Sequence, residues 1–275
     1  MWTDLLEPAV QHLESRYREP EEDLLEIRNI TVRFGGVTAL DDVGFAVGES
    51  EMLGLIGPNG AGKTTLFNCL TGRGKPVSGT VTYRGLPLLR RRPDELAGLG
   101  IARTFQNLGL FEHMSVRDNV LVGAHHRAKA GFAAAAVRLP VVRREEKRLA
   151  ADVHQVLERL DLLDVADHPA TGLPFGTLKR IELARALACR PRLLMLDEPV
   201  NGLSHGEVAE FAALVRELRA ELGLTVMVVE HHMGFVMGIS DRVVCLDFGR
   251  VIAEGTPAQV QQHPDVIAAY LGKPA

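Results

Sequence analysis

Aromatic residues are scarce: tryptophan occurs once, tyrosine three times, and all aromatics make up 5% of 275 residues. With 46% of the chain apolar, the interior must be packed with aliphatic side chains, as in a soluble, core-forming protein. Three cysteines, Cys69, Cys189 and Cys245, stand far apart, match no metal-ligand spacing and are odd in number. That pattern argues against a disulfide framework and fits a reducing cytosol. Positive charge is not in excess, since the net charge is −4, which leaves no electrostatic case for nucleic acid as the main partner. The opening MWTDLLEPAV lacks the basic-then-apolar order of a signal peptide. No apolar run approaches about 18 uncharged residues, so no transmembrane helix is expected. The longest temptation, Ala130 to Val142, carries Arg138 and Pro140 and reads as an exposed or interface helix. The length suits one α/β domain with an inserted lobe.

What is present centres on Gly57 to Thr65, GPNGAGKTT, which contains G-x-x-x-x-G-K-[ST]. The apolar run Met52 to Ile56 reads as a buried strand entering the loop, and Thr64 to Leu70 as a helix leaving it. Gly57, Gly60 and Gly62, spaced by Pro58, Asn59 and Ala61, let the backbone curl so that N–H groups converge on phosphate oxygens. The helix adds its free N–H groups and positive dipole end. In this pattern Lys63 reaches the β- and γ-phosphates, Thr64 holds Mg²⁺, and Thr65 continues the binding stretch.

Before the loop, residues 1–23 end in an acidic EPEED and read either as a short amphipathic helix or as a poorly ordered extension. Leu25 to Ile27, Ile30 to Phe34 and Leu40 to Val47 alternate as short strands around a Gly35-Gly36 turn. With Gly79 to Tyr83 they make an antiparallel sheet layered over the nucleotide core. Phe34 is either an adenine-stacking surface or a core aromatic. Beyond the loop, Pro93 to Gly98 reads as a short helix. Ile101 to Phe105 reads as a strand ending at Gln106, whose amide can ligate Mg²⁺, position water or cap a loop. Ser115 to Asp118 opens a helix to about Ala124, and Arg143 to Leu160 is strongly amphipathic. Tandem His125-His126 reads as surface.

Leu173 to Thr177, LPFGT, precedes a helix read as Leu178 to Ala188, with Gly176 and Thr177 at its start as a possible anion site. Leu193 to Leu196 is a buried parallel strand that delivers Asp197 and Glu198 to its carboxyl end, where open α/β sheets bind ligands. Asp197 fits the metal-associated acid of nucleotidases, and Glu198 a base for the attacking water. Ser204 to Glu207 is a capping box opening a helix to about Leu222. Thr225 to Val229 is the next buried strand and ends on Glu230-His231-His232. His231 there either donates to the γ-phosphate or is a loop histidine bonded to backbone. Arg242 to Asp247 and Arg250 to Glu254 form a hairpin through Phe248-Gly249, and Thr256 to Leu271 two short helices.

Taken together, residues 24–272 resemble the ATP-binding subunit of an ABC transporter. The motifs stand in that family's order: an aromatic before the turn (Phe34), Walker A (Gly57 to Thr65), the Q-loop (Gln106), the signature (Leu173 to Thr177), Walker B (Leu193 to Glu198), the D-loop (Asn201 to Ser204) and the switch histidine (His231). DRVVCLDFGRVIAEGTP and HPDVIAAYLG resemble the group serving branched-chain or hydrophobic amino acid importers. The resemblance implies an α/β P-loop NTPase with a RecA-like core (about 24–106 and 189–255). An N-terminal antiparallel β-subdomain, an inserted helical subdomain (about 107–188) and a C-terminal helical tail (256–272) complete it. It implies ATP and Mg²⁺, and two cassettes closing head to tail so that ATP lies between one Walker A and the other signature. Phe34 then stacks adenine; Lys63 and the loop amides hold phosphates; Leu173, Gly176 and Thr177 face the partner's nucleotide. Thr64, Gln106 and Asp197 serve the metal, Glu198 is the catalytic base, and His231 reads the γ-phosphate. Membrane permeases docked near Gln106 to Ser115 and on the helical lobe would hold the subunit at the cytoplasmic face of the cell membrane, with a substrate-binding protein as an indirect partner.

Two positions depart from the family. LPFGT stands for LSGGQ: Pro174 removes a hydroxyl and an N–H, and Phe175 replaces a glycine that lets backbone approach phosphate. Ser204 replaces the D-loop acid. These departures point to a heterodimer with a different cassette, the homodimer being the alternative if Thr177 and the helix amides suffice. An ABC ATPase for export or lipid extraction is the second function class. A soluble ABC ATPase acting on DNA or ribosomes is disfavoured by the single motif set, the absence of sustained heptads and the lack of a basic patch.

Overall fold

The computed structural model describes residues 23–104, 108–128 and 140–271. The first strand, β1 (Leu25–Phe34), is continuous where the sequence reads as two pieces. Asn29 takes φ 52°, and the register against its neighbour shifts between Ile27 and Ile30, so a bulge absorbs the break in alternation. β2 (Val37–Val47), β4 (Ser78–Tyr83) and β5 (Leu86–Pro87) complete an antiparallel sheet in the order β2-β1-β4-β5.

The second sheet carries the chemistry. Its strands are β3 (Met52–Ile56), β6 (Ile101–Arg103), β7 (Leu193–Asp197), β8 (Thr225–Val229), β9 (Arg242–Asp247) and β10 (Arg250–Gly255). They run β10-β9-β3-β8-β7-β6, parallel except for the edge hairpin partner β10. β3, β7 and β8 are buried at every residue, which is why they read as unbroken apolar runs. The period of two sorts their side chains into two cores. Met52, Leu194, Leu196, Val226 and Val228 join one cluster, with Leu53, Leu55, Leu193, Met195 and Met227 in the other. β6 stops at Arg103, short of the expected Phe105.

Nine helices among the described residues are numbered in chain order: α1 (Lys63–Leu70), α2 (Pro93–Leu99), α3 (Val116–Ala124), α4 (Pro140–Arg159), α5 (Phe175–Ala188), α6 (His205–Leu222), α7 (Met233–Ile239), α8 (Pro257–Gln261) and α9 (Pro264–Leu271). α1 and the antiparallel sheet cover one face of the parallel sheet. On the other face α5, α6 and α7 share a core with the strands, and α3 and α4 extend it through Val120, Val153 and Leu157. α6 begins on the expected capping box, Ser204 accepting from the Glu207 N–H while the Glu207 carboxylate accepts from Ser204 N. At α3 the box is incomplete: Ser115 accepts from the Asp118 N–H, but its hydroxyl, not its backbone, donates to the Asp118 carboxylate. α5 starts three residues before the expected Leu178, with Pro174 as its N-cap, so Gly176 and Thr177 lie within its first turn. The expected interface helix around 130–142 falls mostly outside the described residues, and α4 takes over from Pro140. No described helix is long and apolar enough to cross a membrane.

Candidate nucleotide-hydrolysing site

The parallel strands bring the motifs to one edge. β3 runs into the loop at Gly57, whose φ of +149° and closeness to β9 admit no side chain: an added Cβ would lie 2.2 Å from the Leu246 carbonyl oxygen. Gly62 caps α1 at φ 103°, and its Cβ would lie 2.7 Å from the Ala39 oxygen. The loop is therefore wedged between β2 and the β9–β10 hairpin, a contact reinforced by the Gly249 N–H donating to Ala61 O at 3.1 Å. Lys63 is buried, and its ammonium donates to Gly57 O at 2.6 Å and Pro58 O at 2.9 Å. It thus fills the concavity its own loop makes. Burial lowers its pKa from the ordinary value, against opposing attraction from Glu198, Cys245 and Glu230. Thr64 is exposed at the loop's mouth and Thr65 half-buried.

β7 delivers the acids as expected, but to different surroundings. Asp197 is only 2% exposed and accepts from Arg103 at 2.6 Å. Its N–H donates to Thr104 Oγ1 at 3.1 Å. Arg103 also donates to Asn68 Oδ1 (3.0 Å) and Thr71 Oγ1 (2.9 Å) at the end of α1, and lies over the Phe67 ring. One guanidinium thus ties β6, the loop helix and the acid together. Glu198 leaves the strand with φ 49°, an uncommon conformation for a residue with a side chain, held by its N–H donating to Val229 O at 2.8 Å. The turn separates the two carboxylates, one buried, one half-exposed.

Glu230, at the end of β8, is fully buried. Its carboxylate accepts from Val200 N at 3.2 Å and from the N–H groups of His231 (2.7 Å) and His232 (2.9 Å). His231 itself is exposed, with Nδ1 3.4 Å from Glu230 Oε2. Phe34 ends β1 at 62% exposure, which removes its reading as a core aromatic. His125 and His126 are exposed, as expected.

The signature end differs in kind. Phe175 is 42% exposed and packs on the 201–204 loop: an added Cβ on Gly202 would lie 2.9 Å from its ring. Lys179, buried behind it, stands 5.7 Å from the ring centroid and donates to Glu198 O at 3.4 Å. A side chain at Gly176 would meet Glu207 Oε1 at 2.6 Å. Gln106 lies outside the described residues.

Arg103, Lys179 and Glu230 were not singled out in the sequence. The partners of Arg103 lie far away along the chain, those of Glu230 are backbone N–H groups, and Lys179 reaches the Glu198 carbonyl besides its helix neighbour Glu182; none of these contacts forms a motif.

The sequence model of the family described as ABC transporter matches residues 40–201, from within β2 through the phosphate loop, α5 and β7 as far as Asn201. The chain belongs to the ATP-binding subunits of ABC transporters. A second model, described as branched-chain amino acid ATP-binding cassette transporter, matches residues 250–275 of the cassette. The high-affinity branched-chain amino acid transport ATP-binding protein LivG of Salmonella typhimurium is 42% identical over 92% of this chain and 99% of that one. The similarly described BraF of Pseudomonas aeruginosa is 41% identical over 91% and 98%. Among solved structures, a nucleotide-free ATP-binding cassette from an ABC transporter superposes with TM-score 0.78 at 31% identity, over 91% of this cassette and 100% of that one. A dimeric cassette in a post-hydrolysis state, bound to ADP and phosphate, gives TM-score 0.70 at 25% identity, over 85% and 98%. The cassette has the P-loop NTPase fold, and the chemistry of its site is ATP hydrolysis coupled to transport.

Proposed function

We propose that this cassette powers import of branched-chain or other hydrophobic amino acids, or related amides, as the ATPase subunit of a permease complex at the cytoplasmic face of the membrane. The observation that carries the ATPase half is the convergence of Lys63, buried Asp197 and out-turned Glu198 at the ends of β3 and β7. The substrate half is supported by the two relatives and by the match over residues 250–275.

In this reading the loop from Gly57 to Thr65 holds the phosphates through its amides, and Lys63 leaves its own carbonyls for the β- and γ-phosphate oxygens. A charged phosphate partner offsets the burial that lowers its pKa. The exposed Phe34 offers a ring face to adenine. The donors fit Mg²⁺, which takes few protein ligands and prefers hard oxygens: a hydroxyl from Thr64, a carboxylate from Asp197 and an amide oxygen from Gln106. When bound, the metal neutralises charge on the β- and γ-phosphates. Glu198 orients the attacking water and takes its proton. His231, on a loop anchored by Glu230, senses whether the γ-phosphate is present.

The partner cassette is a different chain. Pro174 offers no N–H at the start of α5, and the Phe175 ring covers the 201–204 loop where a glycine would leave backbone open. The ATP facing this signature therefore sits in the weaker of two sites, while the cassette's own Walker A works against the partner's signature. Residues 107–188 and the stretch from Gln106 to Ser115 receive the permease, and a substrate-binding protein completes the importer.

The deciding experiment is uptake of labelled leucine, isoleucine and valine by proteoliposomes carrying the full complex. ATP-dependent uptake abolished by Glu198→Gln is expected. ATP-dependent export of a lipid or drug without amino acid uptake would replace the substrate assignment. Equal hydrolysis at the two sites would overturn the asymmetry, and an ATP-trapped homodimer of the E198Q chain would overturn the heterodimer.

A further inference from the structure

The phosphate loop touches a segment that the scheme above does not use. Gly57 follows the last residue of β3 with a ladder partner, Ile56 opposite Cys245, and its N–H needs an acceptor elsewhere. That acceptor is Tyr270 Oη, at 2.9 Å and 213 positions away in sequence, near the end of α9. The same helix presents Ala268 and Ala269 to a cavity of about 590 Å³ whose facing wall includes Pro58, Asn59 and Gly60. Small residues on the helix thus leave room beside the loop's outer side, and its one phenol closes the distance. Lys63 holds the Gly57 carbonyl, and the Tyr270 hydroxyl holds its N–H. Gly57 carries no side chain, its φ is one that few residues adopt, and it sits against the Leu246 carbonyl. Burial pushes the phenol up to about 12, so it stays neutral at physiological pH and keeps its lone pairs for the amide.

We propose that Tyr270 is a positioning residue for ATP: by holding the Gly57 N–H it fixes the entry of the phosphate loop, and the C-terminal helix thereby sets nucleotide affinity. Tyr270 touches no phosphate in this scheme. It acts through the loop, and the energy at stake is that of one hydrogen bond to an otherwise unsatisfied amide. The reading rests on the loop being the ATP site, and its consequence is specific. Losing the hydroxyl leaves the loop's entry less ordered before ATP binds, so ordering falls to the binding step. Bound ATP restores the loop, so the chemical step is unaffected. A residue that only packed the helix would alter the melting temperature and leave affinity alone.

The test is titration of the full-length cassette with a fluorescent ATP analogue in the presence of Mg²⁺, paired with steady-state hydrolysis and thermal melting without nucleotide. Wild type, Tyr270→Phe and Lys63→Ala are compared. Binding by wild type and its loss in K63A establish the loop as the nucleotide site independently of Tyr270. Y270F keeps the ring and the helix packing; its affinity is expected to fall, and KM to rise, by about three- to tenfold with kcat unchanged, alongside a lower nucleotide-free melting temperature from the unpaired amide. Equal or tighter binding by Y270F, with wild type and K63A behaving as stated, overturns the proposal. So does a fall in kcat without a change in affinity.

Discussion

Two ends of the same subunit carry the Walker and signature stretches, and they are built differently. At the Walker end the polar groups are held from behind: Arg103 fixes Asp197, Val229 fixes the turn at Glu198, and Lys63 rests on carbonyls it can exchange for phosphates. At the signature end an aromatic ring lies over a neighbouring loop, and the N-cap is a proline with no N–H or side-chain acceptor of its own. The first is preorganised for charge. The second is preorganised for packing. The difference teaches that one subunit can hold charged groups in place at one end and cover backbone with a ring at the other.

The sharpest way to break the comparison is Glu198→Gln. Hydrolysis should fall by about 10²–10⁴-fold while ATP binding persists, measured by phosphate release and nucleotide titration. A smaller loss would mean that the Walker end is not the working one. Arg103→Ala comes next, because it strands a buried carboxylate. Loss of about 3–5 kcal/mol is expected in urea unfolding. Mg²⁺ with ATP should recover more stability in the variant than in wild type, since the metal supplies Asp197 with a replacement cation. At the other end, Phe175→Gly should raise hydrolysis of the ATP facing this signature by about three- to tenfold in the assembled complex, read with the partner's own base intact and this chain's Glu198 removed. No change would mean that the ring is not what weakens that site.

The smallest effect concerns Lys63 and its sign. Burial lowers its folded pKa, so the folded state holds that proton less tightly than the unfolded chain. The charged lysine therefore opposes folding throughout the range below its folded pKa, and the opposition fades as pH climbs toward the ordinary value of 10.5. The melting temperature of nucleotide-free wild type relative to Lys63→Met should therefore rise with pH as that opposition fades. A wild type that lost ground to the variant as pH rose would contradict the burial argument.

Much of this was legible in the residues. Unbroken apolar runs named β3, β7 and β8 because strands buried on both faces need no alternation, and capping chemistry named the start of α6. Phe34 stayed ambiguous because spacing cannot distinguish a ring at a strand's exposed end from one in the core. The start of α5 was placed three residues late because Gly176 weakens the helical signal of the first turn, which begins at Phe175 directly after Pro174. Contacts such as Arg103 with Asp197, 94 positions apart, depend on which strands end side by side. That is decided by topology, and no window of sequence contains it.

Glu230 lies under all of this, and its bonds join parts that the motif names keep separate. The loop after Walker B and the histidine loop after β8 hang from the same carboxylate, one by a single amide and the other by two. They are two leaves on one hinge pin. Whatever moves one leaf must move or break the bonds of a single buried side chain before the other can stay where it is.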